Sequence, residues 1–243
     1  MTRTLPTTLS ILLLVWPNFT PIASALPQNG SGAATEIHYK MFPVRDTKIQ
    51  FPRLTGYKDL ATMNQVNAQI DGITKGFRCR EPRNKNDWYE VSSRVEYASQ
   101  DIFSIYASAN YYCGGPYPTG EANLSVTFDL RTGKTVSFFG LFRNYEANKD
   151  SILRIIFARE LARTEALLAA GKKSGENCDD DPRLFTLEVL RDSEYAYNFS
   201  EKGLVVRPLW AHVIQACAER VTVPYKELKG LAATDSILAR AIE

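Results

Sequence analysis

Residues 111–120 read Tyr-Tyr-Cys-Gly-Gly-Pro-Tyr-Pro-Thr-Gly, and residues 123–136 read Asn-Leu-Ser-Val-Thr-Phe-Asp-Leu-Arg-Thr-Gly-Lys-Thr-Val. In the second stretch Leu124, Val126, Phe128 and Leu130 alternate with polar neighbours, the period-two pattern of a strand with one buried face. Thr132-Gly133 then supplies a turn, because glycine accepts the positive φ that a hairpin requires. Val136 and Phe138 begin the return strand. Upstream, Phe103, Ile105, Ala107, Ala109 and Tyr111 share one face, and Ser104, Tyr106, Ser108 and Asn110 share the other. Tyr89, Val91, Val95 and Tyr97 interleave with Glu90, Ser92, Arg94 and Glu96. Strands joined in this order form an antiparallel meander.

Two helical patterns flank the meander. Between Tyr57 and Lys75, Met63, Val66, Ile70, Ile73 and Phe77 recur at spacings of three and four, one apolar stripe with Gly76 as a stop. A second helix is expected from Asn148 or Asp150 to Ala170, closed by Gly171, with Leu153, Ile156, Phe157, Leu161 and Leu168 facing inward. Short strands are expected near Leu184–Leu190, Tyr195–Phe199, Leu204–Arg207 and Arg220–Pro224, an irregular stretch over Pro208–Ala218, and a short helix near Tyr225–Leu228. Antiparallel strands separated by two long helices define the α+β class. The expected fold is therefore an antiparallel β-sheet with two long helices packed on it.

The first 25 residues read as a signal peptide. Arg3 precedes an apolar run from Leu9 to Trp16, Pro17 and Pro21 end it, and Ala23-Ser24-Ala25 is a small-x-small cleavage site. That run falls short of the ~20 apolar residues needed to cross a bilayer. Residues 26–35 read as a flexible leader, 36–231 as a single α+β domain of two half-modules meeting near 140–150, and 232–243 as a short helix or tail. The expected location is periplasmic or secreted. Basic and acidic residues number 29 and 27, which leaves no basic stripe for nucleic acid. Arg78, Arg80, Arg83 and Lys85 form the densest basic stretch, but Glu81 and Asp87 interrupt it.

Cys79, Cys113, Cys178 and Cys217 are the only cysteines. An even number in an exported chain implies two disulfides. Three pairings are possible; Cys79–Cys113 with Cys178–Cys217 is preferred, because each then links a loop to a strand region within its own half.

Catalytic and metal signatures are weak. Gly133-Lys134-Thr135 resembles the end of a phosphate-binding loop, but Phe128 stands where the first glycine belongs. His38 and His212 are the only histidines, too few for a zinc cage. No nucleophile elbow occurs. Asp179, Asp180 and Asp181 are adjacent and precede Pro182, whereas a calcium loop needs alternate acidic positions and a central glycine. The chain is therefore expected to be no enzyme and to hold no metal and no cofactor. The candidate binding residues are Tyr112, Gly114, Gly115, Pro116 and Tyr117. Glycines permit close backbone approach, prolines limit the entropy lost on binding, and tyrosines offer rigid contact area. The competing reading is a disulfide-tethered connection whose tyrosines pack on the core.

Several segments carry a family resemblance. They are Asn67 and Ile70, Tyr111 to Gly115, Phe128-Asp129-Leu130 with Thr132-Gly133-Lys134, and Leu141-Phe142. Gly203-Leu204-Val205-Val206 and Val223-Pro224-Tyr225-Lys226-Glu227-Leu228 complete the set. Together they resemble the extracytoplasmic domain family of unknown function found in the lysozyme-sensing anti-sigma factor RsiV and in the accessory region of the peptidoglycan deacetylase PdaC. The resemblance spans Glu36 to Leu231 and implies a domain that binds partners rather than one that catalyses. Family members commonly carry Ala-His after the glycines, where this chain has Pro116-Tyr117, so any role of that histidine does not transfer. The expected ligand is a protein such as a lysozyme-type hydrolase. The alternatives are a glycan or peptidoglycan ligand, or a cell-wall-acting enzyme with unrecognised carboxylates.

Overall fold

The computed structural model describes residues 37–45, 47–79, 87–113, 119–175 and 177–243, which fall within one compact unit spanning 34–243. The signal-peptide and leader segments read from the sequence lie outside the described residues.

The chain opens with an antiparallel hairpin of β1 (His38–Pro43) and β2 (Gln50–Gly56). Asp59 then starts α1 (Leu60–Thr74), its carboxylate accepting from the amides of Ala61 at 2.9 Å and Thr62 at 3.4 Å. This cap satisfies donors that the first turn leaves open, and the Thr62 hydroxyl, donating to Asp59 at 2.9 Å, together with these amides holds the Asp59 carboxyl below its usual range. Of the expected stripe, Val66 and Ile70 are fully buried and Phe77 nearly so, while Met63 and Ile73 are half-buried. Asn67 acts as a surrogate strand neighbour for β2, donating to the Leu54 carbonyl at 2.9 Å and accepting from its amide at 3.0 Å.

The meander follows as β3 (Trp88–Ala98), β4 (Ile102–Tyr112), β5 (Thr119–Asp129) and β6 (Lys134–Thr135), in that spatial order and antiparallel throughout. The turn into β6 uses Gly133 at φ +67°. The return strand is shorter than expected: it ends at Thr135, and Phe138 leads into a 3-10 turn at Phe139–Leu141. Phe138 is instead drawn into an aromatic cluster with Phe142, Tyr145 and Tyr195.

The second long helix is two helices. α2 (Tyr145–Ile156) begins after Asn144, which adopts a left-handed φ of 46°, and α3 (Ala158–Ala169) follows a break at Phe157. Phe157 N donates to Leu153 O and closes α2, and Leu161 N donates to Phe157 O and opens α3, so one residue ends the first helix and starts the second. The break accompanies complete burial of Phe157 beside Phe185 and Tyr195.

The strand expected at 184–190 is a turn followed by α4 (Leu187–Arg191), capped by Thr186 Oγ1 accepting from Val189 N at 3.2 Å. So short an apolar run carries no decisive period. β7 (Glu194–Ser200) and β8 (Gly203–Leu209) form a hairpin that β9 (Val221–Val223) extends. Gly203 sits at φ +146°, where a Cβ would fall 2.0 Å from the Val223 carbonyl oxygen. The stretch expected to be irregular contains α5 (His212–Gln215); α6 (Tyr225–Leu228) lies where the sequence puts it. α7 (Ile237–Ile242) buries Ile237 and Leu238 in the core.

Two apolar cores result. One joins β2, α1 and one face of the meander through Phe51, Val66, Ile70, Phe103, Ile105 and Phe128. The other gathers Leu141, Ile152, Phe157, Leu190, Phe199 and Leu204 between the helices and the second sheet. Their seam is polar. Buried Asn198 on β7 donates to Ser104 Oγ at 3.0 Å and to Ile105 O at 2.9 Å, and accepts from Ser125 Oγ at 2.8 Å. Ser104 and Thr127 hydroxyls meet at 2.8 Å in the same buried layer.

The disulfides are Cys79–Cys113 and Cys178–Cys217, the preferred pairing, closing separations of 34 and 39 residues. Removing either bridge by paired Cys→Ala substitution is expected to cost about 4 kcal/mol in the chain-entropy picture, read by denaturant unfolding. Asn198→Ala removes three hydrogen bonds of the seam, to Ser104 Oγ, to Ile105 O and from Ser125 Oγ, and is expected to cost about 2–4 kcal/mol by the same measurement.

Candidate functional site

The meander runs beyond its own core. Along β4 the residues from Ile102 to Ala107 are buried, Asn110 is exposed, and Tyr111 and Tyr112 are half-exposed. β3, β4 and β5 therefore end together at a less covered tip, where Tyr112 pairs with Trp88 on one side and Thr119 on the other. Trp88 is 42% exposed. The Cys79–Cys113 bridge ties this tip to the segment that follows α1. Of the candidate binding residues, Tyr112 is the one the structure describes; Gly114, Gly115, Pro116 and Tyr117 lie outside the described residues.

Behind the tip, aromatic rings stack towards the core. Tyr111 and Tyr89 lie parallel, with centroids 5.0 Å apart and planes 5° apart, Tyr89 meets Phe77 at 6.3 Å, and Phe77 meets Phe51 at 5.4 Å. Burial first and then the Tyr111 hydroxyl push the Tyr89 phenol above its ordinary pKa. Such offset and parallel contacts add to plain area burial and stiffen the strand ends.

Two cavities flank Phe77 and Arg78. One, about 560 Å³, lies between the β1–β2 hairpin and the end of α1, with Phe42, Phe51 and Phe77 as apolar wall. Its charged lining is Arg45, Arg53, Lys75 and Arg78 against Asp71. The other, about 630 Å³, reaches from Thr47 and Lys48 to Cys79, Trp88 and Glu90. Both volumes fall in the range of ordinary ligand pockets. The sequence reading missed this region. Pro43 and Pro52 interrupt the β1–β2 hairpin, and proline argues against a strand. The usable signal was Ile49 and Phe51, two apolar residues at period two beside a Thr-containing turn.

Other candidates are occupied. Asp179 is paired to Arg163 at 3.1 Å, Asp180 to Lys172 at 2.7 Å and Asp181 to Arg183 at 2.5 Å. The hydrogen bond from Arg183 holds the Asp181 carboxyl down to about 2. Three adjacent carboxylates thus diverge to three cations, and among the described residues no three side chains are grouped to hold a metal. Gly133-Lys134-Thr135 is the hairpin turn and strand β6. His38 is exposed on β1. Glu160 is fully buried at the first turn of α3, with Oε1 bound to Arg159 at 2.8 Å and Oε2 without a hydrogen-bond partner among the described residues.

Glu96 is the centre of a fourth cluster. It accepts from Arg94 at 2.6 Å and Arg220 at 2.7 Å, and both guanidinium groups lie over the Tyr106 ring, at 4.7 and 4.3 Å. Burial alone would raise the Glu96 carboxyl, but the two arginine hydrogen bonds outweigh it and hold the carboxyl below its usual range. A depressed folded-state pKa contributes stability that is complete above the unfolded value near 4.5 and is lost as pH falls through the folded value. The stability difference between wild type and Glu96→Gln should therefore be constant at neutral pH and shrink below about pH 4.5, in urea unfolding at stepped pH.

The fold is similar to that of a solved member of the DUF3298 family from Bacteroides fragilis, with a TM-score of 0.52 and 10% identity, covering 86% of this chain and 98% of that one. A DUF3298 family protein from Pseudomonas aeruginosa aligns with a TM-score of 0.44 and 11% identity, over 82% of this chain and 93% of that one. No family model and no curated protein matches the chain. At such identities the first likeness concerns the fold alone: a DUF3298-type α+β architecture.

Proposed function

We propose that the chain is a non-catalytic binding module of the extracytoplasmic space that docks a protein ligand on the clamped tip of the β3–β4–β5 meander. The observation that carries this reading is the exposed Trp88 beside Tyr112, on strand ends stiffened by stacked rings and a disulfide. Tryptophan and tyrosine dominate binding hot spots because they bury much area at little entropic cost. Two disulfides suit an oxidising compartment, and among the described residues no helix is long and apolar enough to cross a membrane.

The resemblance at Tyr111–Gly115 makes a lysozyme-type hydrolase the first candidate ligand. A glycan is the second reading, favoured by one observation: Trp88 lines the 630 Å³ cavity, where its exposed ring could stack on sugar. Calorimetry with lysozyme-type hydrolases and sedimentation with purified sacculi separate the two. Micromolar binding to the hydrolase, weakened about tenfold or more by Trp88→Ala and by Tyr112→Ala, is the expected result. Absence of hydrolase binding together with sacculus binding sensitive to Trp88→Ala and Tyr117→Ala would move the assignment to the glycan.

A further inference from the structure

β1 is an open sheet edge. All six of its residues are exposed, Tyr39, Met41 and Phe42 among them at 44%, 42% and 38%. It pairs with β2, and among the described residues no strand lies on its other side. The ladder fixes which amides face outward. Val44 N–H donates to Ile49 O at 2.8 Å, and the register sets Phe42 opposite Phe51, Met41 opposite Pro52 and Lys40 opposite Arg53. Bonded and non-bonded pairs alternate in an antiparallel ladder. Phe42 and Lys40 therefore turn their amides to β2, and Tyr39 and Met41 turn theirs away from it. Pro52, which has no amide hydrogen, sits opposite Met41, where none is needed.

The Pro43 end of this edge opens on the 560 Å³ cleft. Phe42, Pro43 and Val44 line it, and among the described lining residues Arg53, Lys75 and Arg78 accompany the Asp71 carboxylate. That carboxylate, Asp71, is paired to Arg53 at 3.0 Å, and the Arg53 guanidinium lies 5.9 Å from the Phe42 ring centroid. Lys75 and Arg78 are exposed and have no ion-pair partner among the described residues.

We propose that β1 and the cleft at its Pro43 end form one site for an extended acidic peptide segment of a partner protein. The peptide adds as a strand on the outer edge of β1, bonding the outward Tyr39 and Met41 amides, while its carboxylates reach Lys75 and Arg78. Strand addition supplies affinity through the main chain, and the pockets beside it supply selectivity. A second copy of this chain is a poor occupant: β1 carries Lys40 and no acid, so a second β1 would offer no carboxylate to Lys75 and Arg78. The inference goes beyond docking at the tip, since it concerns a separate strand and a different chemistry.

The test is fluorescence anisotropy of the full chain with a labelled hexapeptide alternating glutamate and valine, beside a counterpart alternating lysine and valine. Saturable binding of the glutamate peptide alone is expected, weakened at least about tenfold between about 50 and about 500 mM salt. The Lys75→Glu/Arg78→Glu variant should lose a similar factor. Met41→Pro keeps the β1–β2 bonds, removes an outward donor, and should also weaken binding. If that variant unfolds, amide hydrogen exchange on the wild type replaces it, with new protection at Tyr39 and Met41 expected on adding peptide. Equal binding of both peptides, unchanged affinity in the charge-reversal variant, or no added protection at those amides would overturn the proposal, as would wild-type dimerisation through β1. No hydrolase enters this assay, so a failure here and a failure of tip docking are separately visible.

Discussion

Strand β4 has to serve two cores at once. Its Phe103, Ile105 and Ala107 close the first, and its Ser104 lies fully buried on the opposite face against the second sheet. A strand buried on both faces in two apolar environments would normally be hydrophobic throughout. Here Ile102 joins the second core, but the middle of that face is polar, and its groups are satisfied by one another: Ser104 with Thr127, and Asn198 with Ser104, Ser125 and the Ile105 carbonyl. An apolar seam would hold the sheets together in many registers of similar energy. A matched set of donors and acceptors holds them in one, because each misplacement strands a buried polar group. The Arg94–Glu96–Arg220 bridge over Tyr106 adds a second tie, joining β3 to the segment entering β9.

With its base fixed in this way, the far end of the meander is left to project. Three strands of eleven residues outrun the core that covers them. Two devices keep that end ordered: the Tyr111–Tyr89–Phe77–Phe51 stack and the Cys79–Cys113 bridge. Both converge on Phe77–Cys79, the stretch that also separates the two cavities. Tip, cleft and β1 edge are thus held by one short segment following α1.

Much of this was legible in the residues. The meander and α1 have long, clean periods, α6 lies where it is expected, and the disulfides are the preferred one of three possible pairings. What the sequence obscured has physical causes. The β1–β2 hairpin contains Pro43 and Pro52, each tolerable because neither position needs an amide hydrogen in the ladder. That can be known only once the register is known. The break at Phe157 falls at a fully buried residue with a non-helical φ of −107°, and no proline or glycine announces it. The 184–190 segment is apolar enough for either state, and Thr186 decides it by capping α4. The double burial of β4 reads in the sequence as an ordinary half-polar strand, since Ser104 and Tyr106 look solvent-facing until the second sheet lands on them.

The proline positions bear on why β1 stays an open edge. Natural sheets protect such edges with charge, proline or a covering element. Pro43 occupies an outward position, so it removes one donor at the cleft end, and Lys40 adds charge midway. These features suppress pairing with an identical or basic strand. They do not suppress pairing with an acidic one, for which Lys40, Lys75 and Arg78 are attractive. The same residues that guard the edge against self-association therefore select by charge what is admitted to it.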